Sequence, residues 1–272
     1  MYEELRKPFD DSQVEGYLKR IGLPTEKQEP TLEYLNTIIR AQLRHIPFDC
    51  ADVWAKHVTP STATDDLYDK IITRKRGGYC FELNSLFCHF LKALGFDCYL
   101  VIIHLSRPGV TYPGISHPAH CGVVLNIDGA QHFADVGLGG PLPDGSIPMD
   151  GTEVLGCKQI MRGPYTVIIS KNKDGGWDDK FTFKNMPADP AEIVPLNFYV
   201  SQRPNSTFAA DLKLNLREDN GSREFGQGTF KYKKNGEIIV EKTASTEEEV
   251  KAIAAEYFGI PDIPTRAFDT KK

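Results

Sequence analysis

The spacing of apolar residues divides the chain into a helical part, a part made of short strands, and a mixed C-terminal part. Leu32, Leu35, Ile38, Ile39 and Leu43 form one helical stripe over 32–44, which Thr31 is placed to cap and Pro47 ends. Ser12 is placed to cap 13–21, which Gly22 and Pro24 close, and Thr64 to cap 65–73 with two acids in its first turn. Leu83, Leu86, Phe87, Phe90, Leu91 and Leu94 trace the apolar face of a further helix, which Gly95 stops. His89 falls on its polar face and is expected to be solvated.

From Phe96 the period changes. Runs at 99–105, 122–127, 131–135, 165–170 and 180–184 read as short strands, with Asp128-Gly129 and 173–176 as turns. Such strands predict an antiparallel sheet or barrel. Pro187, Pro190 and Pro195 predict a linker. Beyond it, Asn235-Gly236 joins strands at 229–233 and 237–241, and Thr246 with Glu249 makes a capping box for a helix that ends at Gly259. The expected class is α+β: a helical bundle at 1–94, an antiparallel β-barrel at 95–196, and an α/β unit at 197–272.

Composition narrows the function. The chain has 272 residues, a net charge of −5 and no basic block, which argues against nucleic acid as its main partner. No stretch approaches a membrane-spanning length, and the charged N-terminus lacks the apolar core of a signal peptide. A cytoplasmic protein is expected. The six cysteines lack C-x-x-C or zinc-type spacing, so no metal site is expected.

One cysteine stands apart. Cys80 follows Arg76-Gly77-Gly78-Tyr79 and opens the helix, where unpaired N–H groups and the helix dipole favour a thiolate. By itself it reads first as a packed core thiol. A nucleophile also needs a base, and the Asp128-Gly129 hairpin tests the histidines. If Ile127 pairs with Ala130, paired numbers sum to 257. His120 then shares a face with Asp135 as its diagonal neighbour, whereas His132 and Cys121 point to the opposite faces of their strands. His117 is a rival base behind Pro118, and a purely structural His–Asp contact stays open. The glycine-rich stretch 135–140 precedes no clear helix, and 141–145 argues against a dinucleotide- or phosphate-binding loop.

Arg76-Gly77-Gly78-Tyr79-Cys80-Phe81-Glu82-Leu83-Asn84 resembles the R-G-G-x-C-x-E-x-N signature of the arylamine N-acetyltransferases. Asp135-Val136-Gly137-Leu138-Gly139 resembles that family's D-x-G-[FY]-G loop, Ile46-Pro47-Phe48 its I-P-F motif, and Asn197 through Phe208 its N-x-x-x-S-x-x-P-x-S-x-F stretch. The resemblance implies a helical bundle, a β-barrel and an α/β lid around a cysteine-protease-like Cys-His-Asp core. It implies a cytoplasmic enzyme of xenobiotic metabolism that moves acetyl from acetyl-CoA to arylamines, arylhydrazines or N-hydroxyarylamines by ping-pong kinetics.

Carried over residue by residue, Cys80 is the acylated nucleophile, His120 the base and Asp135 its orienter. Phe48 and Leu138 line the amine pocket, and Thr207 and Phe208 fall in the coenzyme A cleft. The implied partners are coenzyme A and a small arylamine or hydrazine, and a weak homo-oligomer is compatible. Glu82, Asn84 and Arg76 read as structural supports of the turn. Leu138 stands where the family carries an aromatic ring, and Phe48-Asp49-Cys50 replaces its Phe-Glu-Asn. Acyl groups other than acetyl, a carrier-protein amide synthase, a triad hydrolase and a non-catalytic binding protein remain as alternatives.

Overall fold

The computed structural model describes residues 2–106, 117–140 and 143–267. Pro141 and Leu142, part of the stretch argued above against a phosphate loop, lie outside the described residues, as do Met1 and the tail residues 268–272.

The first third is helical: α1 (Asp11–Arg20), α2 (Leu32–His45), α3 (Ala51–Lys56), α4 (Thr64–Tyr68) and α5 (Cys80–Ala93), with β1 (Phe48–Asp49) between α2 and α3. Thr31 caps α2 as expected, its side chain accepting from Tyr34 N. Two caps differ from expectation. Asp10, not Ser12, caps α1, because its carboxylate forms a capping box with Gln13. Thr64 is the first residue of α4 rather than its cap, and after Tyr68 the chain widens into a π-helical stretch, Asp69–Thr73.

α5 runs through the middle of the core. Every residue from Cys80 to Cys88 is buried, polar ones included, so this helix is enclosed on all sides rather than along one stripe. Tyr17 of α1 stacks on Phe90 at a centroid distance of 3.9 Å and 3° between planes. His89, expected in solvent, is half-buried beside Phe9, with Thr64 Oγ1 3.4 Å from its Nε2. Burial pushes its pKa down to about 4, with Lys92 adding to the effect and the Leu5 backbone opposing it.

Seven strands form the second unit: β2 (Asp97–Leu105), β3 (Pro118–Ile127), β4 (Ala130–Ala134), β5 (Ile147–Pro148), β6 (Cys157–Arg162), β7 (Tyr165–Lys171) and β8 (Trp177–Phe183). Their order is β5-β4-β3-β2-β8-β7-β6, all pairs antiparallel. The edge strands β5 and β6 approach each other, so the sheet nearly closes into a barrel.

The proline-marked segment is a helix, not a linker. α6 (Pro190–Gln202) takes Pro190 in its first turn and is capped by Asp189 with Glu192 in a capping box. A short α7 (Thr207–Ala210) follows, then β9 (Leu214–Glu218), β10 (Gly221–Gly226), β11 (Thr229–Lys234), β12 (Glu237–Thr243) and α8 (Glu247–Phe258). β1 joins the edge of this second sheet, giving the order β1-β9-β10-β11-β12. No helix among the described residues is long and apolar enough to cross a membrane.

Candidate active site

The turn before α5 is fixed from several sides. Phe48 bridges Gly78 on one edge and pairs with Asn215 on the other. Gly77 passes so close to this segment that a Cβ there would lie 2.1 Å from the carbonyl oxygen of Pro47. Close approach, not a left-handed backbone, is what demands glycine at 77. Glu82 closes the helix start, its Oε2 accepting from Tyr79 N at 3.1 Å. Behind the turn lies a buried ionic cluster. Arg76 donates to Asp49 Oδ2 at 2.7 Å and Asp52 Oδ2 at 3.2 Å. Lys70 Nζ lies 2.7 Å from both Asp52 Oδ2 and Glu82 Oε1. Arg76 and Glu82 thus support the turn, as their sequence context suggested.

The hairpin delivers the partners of Cys80. β3 and β4 pair with the expected register, from Ile127↔Ala130 to Val123↔Ala134. Asp135 follows directly, and His120 Nε2 meets its Oδ2 at 2.5 Å, both groups fully enclosed. That leaves Nδ1 as the ring nitrogen free to face Cys80, whose thiol lies 3.9 Å from the Ala119 carbonyl next to His120 and adds to the stabilisation of the charged ring. The ring also stacks on Phe181 of β8, with centroids 5.6 Å apart and 11° between planes.

Asn84 couples the helix to the hairpin. Its Nδ2 donates to the Cys121 carbonyl at 2.7 Å and to Asp135 Oδ1 at 3.0 Å, and its Oδ1 accepts from Val136 N at 3.0 Å. Gly137 N gives Asp135 Oδ1 a second donor at 2.7 Å. A Cβ on Gly137 would lie 2.9 Å from Cys80 Cα, so this loop needs a glycine to lie against the helix start.

The electrostatics favour a charged imidazole. Burial alone would depress the His120 pKa, but the Asp135 carboxylate and its hydrogen bond, with smaller help from Cys80, raise it to about 10. Burial would likewise raise the Asp135 pKa. The His120 charge and the donors from His120, Asn84 and Gly137 outweigh it and hold the carboxyl below its ordinary value. The folded state therefore binds more protons than the unfolded chain between a histidine's ordinary 6.5 and about 10. The stabilisation from protonated His120 is full below about 6.5 and is lost as pH rises through that window. The side-chain ¹⁵N shifts of His120 should accordingly keep the imidazolium pattern at pH 8 and change near pH 10. A midpoint near 6.5 would contradict the pairing.

The other histidines have different surroundings. His132 lies on the far face of β4, its Nδ1 3.5 Å from Ser146 Oγ. His117, the rival base, sits against Arg203 and Tyr199 of α6, at 2.6 Å from Arg203 Nη1. His45 bonds back to Ala41 O, and His57 ends α3 beside Arg266.

The residues named for substrate gather on one side of the turn. The Phe48 and Phe208 rings lie 5.9 Å apart, and Phe208 meets Tyr79 edge-on at 5.5 Å. Gly139 packs on the Phe48 ring, where a Cβ would come within 2.6 Å, and Leu138 is its half-buried neighbour. Thr207 opens α7 beside Phe208, behind the Ser206 cap. Two neighbours of the site went unread in the sequence. Tyr79 donates its hydroxyl to Asn197 of α6, and Phe181 reaches His120 from a strand some 60 positions away; neither carries a local signal.

A buried cysteine at a helix start, beside a histidine–aspartate pair on an adjacent nearly closed barrel, belongs to an α+β fold of the cysteine-protease-like kind. The N-acetyltransferase family model matches residues 31–263. The chain is 28% identical over 214 residues to arylamine N-acetyltransferase of Mycolicibacterium smegmatis, covering 75% of this chain and 76% of that protein. It is 25% identical over 275 residues to arylamine N-acetyltransferase 1 of Homo sapiens, covering 91% and 93%. The solved structure of Mycobacterium marinum arylamine N-acetyltransferase in complex with CoA superposes with a TM-score of 0.81, at 21% identity over 91% of this chain and 93% of that one. This chain belongs to the arylamine N-acetyltransferase family and is a transferase.

Proposed function

We propose that this protein moves an acetyl group from acetyl-CoA to an arylamine, arylhydrazine or N-hydroxyarylamine through a thioester on Cys80. The observation that carries the reading is the enclosed His120–Asp135 pair, 2.5 Å apart, beside Cys80 at the start of α5. The Cys80 thiolate attacks the thioester carbonyl, and the helix-start N–H groups face the developing oxyanion. Coenzyme A leaves with a proton from His120. The amine then attacks the acylated Cys80, and neutral His120 takes its proton. An arylamine suits this second step because it is largely unprotonated at neutral pH.

In this reading Phe48 and Leu138 line the amine pocket, and Thr207 and Phe208 border the coenzyme A cleft. The Phe48–Phe208 contact supports a shared wall between the two. Leu138 offers no ring for stacking, so acceptor selectivity rests more on Phe48. The segments 1–94, 95–196 and 197–272 supply the nucleophile, the His–Asp pair and the lid in turn. The reaction belongs to xenobiotic metabolism in the cytoplasm.

Intact mass spectrometry after mixing with acetyl-CoA and no acceptor tests this directly. One acetyl group should appear, be absent in Cys80→Ala, and be discharged by an added arylamine. No adduct from acetyl-, propionyl- or malonyl-CoA would overturn the proposal and favour a carrier-protein amide synthase or a triad hydrolase.

A further inference from the structure

All six cysteines are free and buried. Three of them besides Cys80 meet other groups. Cys50 Sγ faces Lys213 N at 3.2 Å, Cys121 Sγ faces the Cys80 carbonyl at 3.6 Å, and Cys157 lies on β6. Cys88 and Cys98 differ: their sulfurs touch at 3.9 Å, and Cys98 Sγ also lies 3.7 Å from the Cys88 carbonyl. The turn at Gly95, with φ of 95°, folds β2 back onto α5 and so brings the two together.

Cys88 is also open to a cavity of about 560 Å³, which Arg6, Lys92, Tyr99 and Pro187 help to line. Cys98, also buried, does not line it. The cavity is separate from the candidate active site, since eight helical residues place Cys88 about 12 Å along α5 from Cys80.

We propose that Cys88 and Cys98 are a dithiol–disulfide couple oxidised by hydrogen peroxide that enters this cavity, with Cys88 attacking and Cys98 resolving. The Cys88 sulfur attacks the peroxide oxygen, the O–O bond breaks, water leaves, and Cys88 becomes a sulfenic acid. The Cys98 sulfur then attacks Cys88, the S–O bond breaks, and a second water leaves as the disulfide forms. Two thiols lose two electrons and two protons, and hydrogen peroxide is reduced to two waters. The sulfurs must close from 3.9 Å to about 2.05 Å, within reach of side-chain rotation at two residues already in contact.

The roles follow from access: Cys88 lines the cavity and meets the oxidant first, and Cys98, in contact with it at 3.9 Å, is placed to resolve.

The test treats the full chain, wild type and Cys80→Ala, with hydrogen peroxide, then alkylates it in denaturant and digests it with trypsin. Cys88 and Cys98 fall on different peptides, split after Lys92. The expected product is a cross-link between them, reversed by dithiothreitol and formed at least about tenfold faster than oxidation of Cys121 or Cys157. Cys98→Ser, with Cys98→Ala as a second variant, should trap dimedone-reactive sulfenic acid at Cys88. Full alkylation of both thiols after peroxide treatment, or dimedone labelling at Cys88 no greater than at Cys121, would overturn the proposal.

Discussion

Asp135→Asn should lower kcat/KM for acetyl transfer by about 10⁴-fold while leaving the fold in place. The argument is one of donors and acceptors. Asp135 Oδ2 meets His120 Nε2 at 2.5 Å, and Oδ1 accepts from Asn84 Nδ2 at 3.0 Å and Gly137 N at 2.7 Å. All three partners are donors to a carboxylate that only accepts. An asparagine must turn its NH₂ one way or the other. Turned toward His120, it forces Nε2 to accept, which moves the ring proton to Nδ1 and leaves a neutral imidazole with no lone pair facing Cys80. Turned toward Asn84 and Gly137, it sets donor against donor inside a dry site, at about 1–3 kcal/mol for each unmade bond. Either orientation removes the negative charge that raises the His120 pKa to about 10. The variant should therefore also lose the imidazolium ¹⁵N pattern at pH 8. Steady-state kinetics with that spectrum separate the explanation from simple unfolding. Retention of more than about a tenth of the activity would remove Asp135 from the proposed mechanism.

The sequence exposed this pair because hairpin geometry is local. Asp128 and Gly129 take φ of 50° and 80°, the two positive values that a tight two-residue turn needs, and Asp-Gly is the dipeptide that tolerates them. The register then follows by counting, even though the ladder stops at Val123↔Ala134, short of His120. The Thr246–Glu249 box was readable for the same reason. Some local signals were there and went unread. Asp189 with Glu192 spells a capping box around Pro190, yet three prolines suggested a linker; proline in the first turn of a helix costs nothing. The Leu214–Glu218 strand alternates, and Asp219-Asn220 forms the turn that follows, but the pairing of Phe48 with Asn215 across the chain has no local trace. His89 was misplaced because a helix stripe shows which face is most apolar, not whether a second layer covers the opposite face. Phe181 and the Asp49–Asp52–Arg76 contacts are long-range, and only the folded chain reveals them.

Arg76→Ala should cost about 3–5 kcal/mol of folding stability, a large share of the roughly 5–15 kcal/mol that holds such a domain. Asp49 is wholly buried, and apart from Arg76 it accepts from Ala51 N at 2.8 Å. Asp52 keeps Lys70 and Lys56 at 2.7 and 3.0 Å. Removing the guanidinium therefore strands mainly the Asp49 carboxylate, and an unpaired buried charge is costlier than the original pair was favourable. Arg76→Lys should fall between, because an ammonium keeps the charge but loses the fork that reaches both Asp49 and Asp52. Pairing Arg76→Met with Asp49→Leu removes both charges at once and should recover more than half of the loss. Equilibrium urea unfolding of the four proteins reads these differences. Asp49 N donates to Gly78 O at 2.8 Å, and the segment from Pro47 to Asp49 braces the turn that presents Cys80. A loss below about 1 kcal/mol in Arg76→Ala would mean that water reaches the cluster, and the rigidity of the nucleophile turn would need another source.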